Sequence, residues 1–75
     1  MNYTFGDIVI VDKINIGVVV KCWSHQVEAR YDVYVRVDNA IRDLVPESKI
    51  RRYLVRHKYL TKRELEYQFN AENGL

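Results

Sequence analysis

The stretch YDVYVRVD, residues 31–38, alternates two kinds of side chain along its whole length. Tyr31 and the three valines occupy the odd positions, whereas Tyr34 and the charged residues occupy the even positions. Because successive side chains of a strand point to opposite faces, this pattern predicts a strand with one apolar and one polar face. No other stretch of the chain indicates a strand as clearly.

Apolar runs on either side of this stretch predict four more strands. They cover residues 8–11, 16–23, 41–45 and 50–55. Polar or turn-forming residues separate them, among which Asp38-Asn39-Ala40 has the strongest turn chemistry. Five short strands joined by short turns are typical of a small closed or nearly closed barrel.

Two local features refine this prediction. In the second strand, alternation places one set of side chains in the core and the other set outside. The inward set is Val18, Val20 and Cys22, and the outward set is Val19, Lys21 and Trp23. Pro46 should stop the fourth strand, and residues 47–49 should form a single tight helical turn.

The C-terminal part of the chain predicts a helix over residues 61–72. Thr61 can cap its first turn, and Glu64 follows at the spacing of a capping box. Leu60 and Leu65 have the spacing of a hydrophobic staple. Leu65 and Phe69 lie four residues apart, so we expect this helix face to close one open end of the barrel. Asn73-Gly74 should end the helix.

Length and composition favour one small globular domain over residues 1–75. The chain has 75 residues, of which 48% are hydrophobic, and this length leaves no room for a deep catalytic cleft. The lone Cys22 excludes an internal disulfide and fits a reducing cytosol. The first residues lack the features of a secretory signal, and the apolar runs are too short to span a bilayer. We therefore expect a cytoplasmic protein without a membrane segment.

Four segments together resemble the SH3-like small β-barrels, a group that includes KOW-like and Tudor-like domains. The segments are Phe5–Val11 with the pattern G-D-x-V, Ile16–Val20 with G-V-V, Tyr31–Val35, and Asp43–Ile50 with V-P-E-x-x-I. The resemblance covers residues 5–55, and the helix at 61–72 is an addition to the minimal barrel. It implies a mainly β, five-stranded SH3-like barrel with one C-terminal α-helix. Many short proteins of phages and mobile elements resemble this group.

The sequence contains no complete motif for catalysis or metal binding. Cys22-x-x-His25 is half of a zinc site, and His57 brings the candidate ligands to three, whereas structural zinc requires four. A Cys22–His25 pair would have its members on opposite faces of a continuing strand. The three glycines are too far apart for a phosphate-binding loop. We therefore expect no enzymatic activity, no metal and no cofactor.

Residues 49–63, KIRRYLVRHKYLTKR, carry a charge of +7 and no acid, within a chain whose net charge is +2. Such segregated charge predicts a basic surface and an acidic partner. Aromatic residues beside Lys and Arg are suited to stacking on bases while the cations hold phosphates. The candidate binding residues are Lys49, Arg51, Arg52, Arg56, Lys58, Lys62 and Arg63, with the aromatics Trp23, Tyr34 and Tyr53. Nearby carboxylates that paired with these bases would weaken the prediction.

Two functions fit this pattern. The first is a nucleic-acid-binding small barrel that uses the face built from residues 49–63. The second is an accessory protein of a phage or mobile element that docks on an acidic protein surface of the host. An anti-CRISPR or anti-restriction inhibitor is one example that the resemblance implies. A homodimer through an exposed edge strand is a further alternative.

Overall fold

The computed structural model describes residues 1–53 and 59–74. Five antiparallel strands form one sheet in the order β4-β3-β2-β1-β5. The strands are β1 (Ile8–Val11), β2 (Asn15–Trp23), β3 (Arg30–Val35), β4 (Ala40–Pro46) and β5 (Ile50–Arg52). A 3₁₀ turn (Glu47–Lys49) joins β4 to β5, and the helix α1 (Lys62–Glu72) follows. The predicted mainly β fold with one C-terminal helix is confirmed.

The hydrophobic core lies on one face of this sheet and draws on all five strands. Its buried members are Val9, Val11, Val19, Tyr31, Val33, Val35, Val45 and Ile50. Val45 of β4 and Ile50 of β5 belong to opposite edges of the sheet, yet both join this one cluster. The sheet therefore curls around its core face. Alternation of side chains leaves Ile8, Ile10 and Val18 buried on the other, outer face.

The predicted orientation of the second strand is wrong at Val18, which is buried on the outer face, and at Val19. Val19 is fully buried in the core cluster, and Cys22, three residues later, packs against the same cluster. The pairing of β2 with β3 shifts between Val19 and Lys21. One extra residue, Val20, is inserted there as a bulge, which changes the alternation halfway along the strand.

The third strand is shorter than predicted. It ends at Val35, and Val37 is 70% exposed in the turn of residues 36–39 instead of lying in the core. The amide of Asn39 donates to the carbonyl of Arg36, and Asn39 has a φ of 49°. Asn tolerates this left-handed conformation, which lets the chain reverse into β4.

The capping box of α1 is confirmed, but the packed face of the helix is not the predicted one. The Thr61 hydroxyl accepts from the Glu64 amide at 3.2 Å, and Glu64 Oε1 accepts from the Thr61 amide at 2.9 Å. Phe69 is 60% exposed, and Leu65 is only half-buried. About two-thirds of the residues of α1 are polar or charged, and the helix packs against the sheet through its few small and amphipathic side chains.

The packed face of α1 carries Tyr67 and Ala71 and covers the outer face of the sheet. The ring of Tyr67 lies 5.7 Å from that of Tyr34 and 6.5 Å from that of Phe5. A Cβ atom at Gly6 would lie 2.3 Å from the Cβ of Ala71. Gly6 also has a φ of 92°, so glycine permits both the backbone turn and the close approach of the helix.

Candidate functional site

The basic run divides at β5 because strand side chains alternate. Arg51 lies opposite Ile10 on the outer face, whereas Arg52 lies opposite Val9, which belongs to the core face. At this edge the Arg52 guanidinium reaches Asp7 Oδ2 at 3.1 Å and the carbonyl oxygen of Asn2 at 2.8 Å. Arg52 therefore holds the N-terminal segment, and its charge is paired.

Three cations that carry no ion pair among the described residues meet beside the outer face of β5. Lys13, Lys49 and Arg51 line a hollow of 380 Å³, together with the buried residues Ile10 and Ile50. A second hollow, of 540 Å³, shares Ile10, Lys13 and Arg51 with the first. It adds Ile14, Ile16, Arg36, Val37 and Tyr53. We call the two adjoining hollows the basic groove.

Three of the cations that line the basic groove have no carboxylate partner in the described part of the chain. Within residues 1–53 and 59–74, no carboxylate pairs with Lys13, Lys49 or Arg51. Arg51 Nη2 donates to the carbonyl oxygen of Lys13 at 3.2 Å, which retains its charge. Asp12 also lines the groove, but its carboxylate accepts from Arg42 Nη1 at 2.7 Å.

Arg42 joins the two turns that form one rim of the groove. Its guanidinium binds Asp12 in the β1–β2 turn and, at 2.6 Å, Asp38 Oδ2 in the β3–β4 turn. The hydrogen bond to Asp38 raises the pKa of Arg42 above its ordinary value. Both turns contain non-glycine residues with positive φ, including Lys13 at 77°. This bridge places Ile14 and Val37, which are 82% and 70% exposed, in one hollow.

Lys13 is not among the binding residues that the sequence predicts. Lys13 lies far from residues 49–63 in the chain, and only the pairing of β1 with β5 brings it next to Arg51. The polar pair Asp12-Lys13 between two apolar runs does mark a turn. That signal locates a loop but contains no information on which strand lies beside it.

The predicted aromatic residues divide between three places. Tyr53 is 40% exposed and lines the basic groove. Tyr34 lies on the predicted polar face of β3, but α1 covers it, and its hydroxyl donates to Asn39 Oδ1 at 3.0 Å. The expectation that Tyr34 stacks on a ligand is therefore wrong, because the ring is buried. Trp23 lies beneath Lys21 Nζ and lines a separate hollow with Leu44.

Lys62 and Arg63, two further predicted cations, do not line the groove. Lys62 and Arg63 are exposed in the first turn of α1, and the Arg63 guanidinium lies 5.6 Å from the ring centroid of Tyr34. Lys62 lines a shallow hollow on the outer side of the helix with Leu65 and Phe69. Arg56 and Lys58 lie outside the described residues, as does the predicted part of the fifth strand beyond Tyr53.

A buried ion pair borders the groove on the side of the helix. Glu64 is fully buried, and its two oxygens accept from Arg36 Nε at 3.1 Å and Arg36 Nη2 at 2.6 Å. Hydrogen bonding to Glu64 raises the pKa of Arg36. Glu64 also completes the capping box with Thr61. One carboxylate thus fixes the start of α1 to the β3–β4 turn, and we call this contact the Arg36–Glu64 junction.

Neither candidate zinc ligand near β2 has the partners that a metal site needs. The described part of the chain contains no group of three His, Cys, Asp or Glu side chains that could hold a metal ion. Cys22 Sγ lies 3.5 Å from the carbonyl oxygen of Tyr3, and burial raises the pKa of the thiol. The thiolate form, which acts as nucleophile and ligand, is therefore disfavoured. His57 lies outside the described residues.

Comparisons with known proteins do not identify a relative. No protein-family description matches the sequence, and neither curated proteins nor solved structures contain a match. In the described part of the chain, α1 is too short and too polar to cross a bilayer. The basic groove is therefore the feature that indicates a function.

Proposed function

We propose that this protein is a non-enzymatic binding module that holds a nucleic-acid backbone in the basic groove. The supporting observation is the convergence of Lys13, Lys49 and Arg51 around one concavity, with no carboxylate paired to any of them among the described residues. Cations of this kind gain affinity for phosphates by releasing condensed counterions. They also position a backbone without reading its sequence.

The proposal assigns different roles to two groups of three cations. Arg36, Arg42 and Arg52 are paired with carboxylates and stabilise the fold. Lys13, Lys49 and Arg51 keep their charge for a ligand. The groove is therefore smaller than the face expected from residues 49–63, and it includes one cation from a different part of the chain.

The proposal includes a small SH3-like barrel as the scaffold and the cytoplasm as its location. The strand order β4-β3-β2-β1-β5 and the 3₁₀ turn before β5 support the barrel. The single, partly buried cysteine supports a reducing compartment. In such a barrel the groove lies on the outer face of β1 and β5, next to the helix rather than beneath it.

Arg51 and Arg52 provide the test, because they are adjacent on one strand and differ in their partners. Fluorescence titration with a labelled oligonucleotide, between about 50 and 200 mM salt, measures affinity and its salt slope. We expect Arg51→Gln to weaken binding and to reduce the slope by about 0.7–0.9. Arg52→Gln should leave both quantities unchanged. Equal effects of the two substitutions would show that the basic groove is not the binding site. The absence of nucleic-acid binding in low salt would refute the proposed function.

A second candidate function is docking on an acidic protein, as an accessory protein of a phage or mobile element would do. Ile14 and Val37 favour it, because two exposed aliphatic side chains beside cations suit a protein interface better than a phosphate backbone. The double substitution Ile14→Ser with Val37→Ser distinguishes the two. A purified acidic partner that loses affinity for this variant, and keeps it after nuclease treatment, would favour docking on protein.

A further inference from the structure

We infer that the ligand of the basic groove is single-stranded nucleic acid, with phosphates held by the cations and an unstacked base covering Tyr53 and the exposed aliphatic side chains of the larger hollow. The inference rests on the proposed function and specifies the ligand of the same site. It follows from the shape of the groove, from the position of Tyr53 and from the two exposed aliphatic side chains on the rim.

The concave shape of the basic groove favours a single strand over a duplex. The cations surround a concavity and do not project from a ridge, and the two hollows measure 380 and 540 Å³. Sites that enclose small organic ligands measure about 300–1,000 Å³. An unpaired base can enter such a hollow, whereas in a duplex each base is held inside the stack and only its edges face outward. A duplex would therefore touch only the outer rim.

The position of Tyr53 beside Arg51 also favours a single strand. It lies two residues after Arg51 on the path of β5, so both side chains point to the outer face, and both line the larger hollow. Its backbone is fixed, because the Tyr53 amide donates to the carbonyl oxygen of Ile8 at 3.0 Å. The ring is 40% exposed next to a cation that can hold the neighbouring phosphate. Proteins that bind single strands combine these two features in their grooves.

Two exposed aliphatic side chains also favour an unstacked base. Ile14 and Val37 line the same hollow as Tyr53, and their exposed surface gains nothing from a phosphate. The face of an unstacked base, by contrast, can cover such apolar surface. The Arg42 bridge fixes the two turns, so this rim is organised before the ligand arrives. Preorganisation of this kind reduces the entropy lost on binding.

The groove therefore has a direction. Lys49 lines only the smaller hollow and Tyr53 lines only the larger one, whereas Lys13 and Arg51 line both. A strand would pass from Lys49, past Lys13 and Arg51, to Tyr53, where one base would be covered by the ring. Three cations and one aromatic ring correspond to a site of a few nucleotides.

The experiment compares a labelled single strand, the same strand annealed to its complement, and a single strand of the same length with abasic positions. The protein is the full chain at about 50 mM salt. We expect the single strand to bind at least about tenfold more tightly than the duplex, and the abasic strand to bind more weakly than the normal strand.

Variants of Tyr53 supply the second readout. Tyr53→Ala should weaken single-strand binding about 5- to 150-fold and leave duplex binding unchanged, whereas Tyr53→Phe, which keeps the ring, should bind like the parent protein. Urea unfolding of each variant checks that the fold is retained. If Tyr53→Ala fails to fold, the comparison of normal and abasic strands decides alone.

Each other outcome contradicts the inference in a distinguishable way. Duplex binding that equals or exceeds single-strand binding would overturn it and leave the proposed function in place. Binding to neither, in low salt, would overturn both. Binding to an acidic polypeptide such as polyglutamate, with no binding to the single strand, would instead assign the groove to protein.

Discussion

The Arg36–Glu64 junction and the basic groove are adjacent regions that use cations in opposite ways. At the junction, a fully buried carboxylate accepts two hydrogen bonds from one guanidinium, so the charge of Arg36 is balanced within the fold. In the groove, Lys13, Lys49 and Arg51 face solvent without a carboxylate partner among the described residues. The charge that a surface can offer to a ligand therefore depends on which cations are paired with carboxylates. A count of charged residues along the chain does not measure this pairing.

Glu64→Ala should have the largest effect on stability. Removing one member of a buried ion pair typically costs about 3–5 kcal/mol, and the partial exposure of Arg36 reduces this loss to about 2–4 kcal/mol. Urea unfolding followed by the fluorescence of Trp23 measures the change. Glu66→Ala, at an exposed position of the same helix, is the control. Equal losses for the two variants would mean that the junction does not hold the helix.

Glu64→Gln should leave the charge of Arg36 unbalanced, so that the junction partly resembles the basic groove. The amide oxygen can still accept a hydrogen bond, whereas the NH₂ group that replaces the other oxygen cannot. The neutral side chain also no longer balances Arg36, which lines the groove. We therefore expect a smaller loss of stability than for alanine. If the proposed function is right, affinity for nucleic acid should rise, with a salt slope steeper by up to about 0.7–0.9. An unchanged slope would show that Arg36 stays inaccessible to the ligand.

Gly6→Ala tests the close packing that brings the junction together. The added methyl group would meet Ala71 at 2.3 Å, and alanine disfavours a φ of 92°. Overpacking and backbone strain together should cost about 2–3 kcal/mol. Gly74→Ala is a matched control, because Gly74 has a similar φ of 73° with no atom within 4 Å of the added Cβ. Thermal unfolding should separate the two variants, and equal losses would attribute the effect to strain alone.

Thr61→Ala separates the helix cap from the ion pair at the same junction. Losing a threonine cap costs about 1 kcal/mol, because the Glu64 amide loses its acceptor. Thr61→Ser keeps the hydroxyl and should restore most of this loss in urea unfolding. Nucleic-acid affinity should not change, since Thr61 does not line the groove. A loss as large as that of Glu64→Ala would indicate that the cap, not Arg36, dominates the junction.

Arg51→Gln and Arg52→Gln should have the smallest effects on stability. Arg52 loses an exposed ion pair with Asp7, which is worth about 0–1 kcal/mol. Arg51 loses no ion pair, and its removal lowers repulsion from Lys13 and Lys49, so stability should be unchanged or slightly higher. Urea midpoints in parallel with the binding titration give both readouts. A clear loss of stability for Arg51→Gln would place it among the structural arginines.

Local patterns predicted the elements of this fold well. The alternation in residues 31–38 and the short apolar runs predicted all five strands, because strand period is a property of neighbouring residues. The capping box was predicted correctly for the same reason, since Thr61 and Glu64 are three residues apart. Errors arose where a single residue altered the alternation, as Val20 does in β2, or where a turn shortened a strand, as at Arg36.

The candidate site was predicted only in part. Arg51, Lys49 and Tyr53 are in the groove, whereas Tyr34 is buried and Arg52 is paired with Asp7. The polar surroundings of Tyr34 indicated exposure, but Tyr67 of α1 covers it. Lys13 and its neighbour Ile14 were missed. These differences all involve contacts between residues that are distant in the chain.

The order of residues alone was enough to specify five strands, a capped helix and a concentration of positive charge near the C-terminus. These properties depend on spacing within a few residues, where backbone geometry restricts the outcome. Which cations remain available depended on the folded chain, because Glu64, Asp7 and Asp12 reach their arginines across 28 to 45 positions of sequence. Electrostatic attraction acts through space, so only the assembled sheet and helix could bring Lys13, Lys49 and Arg51 together around one groove with no carboxylate partner among the described residues.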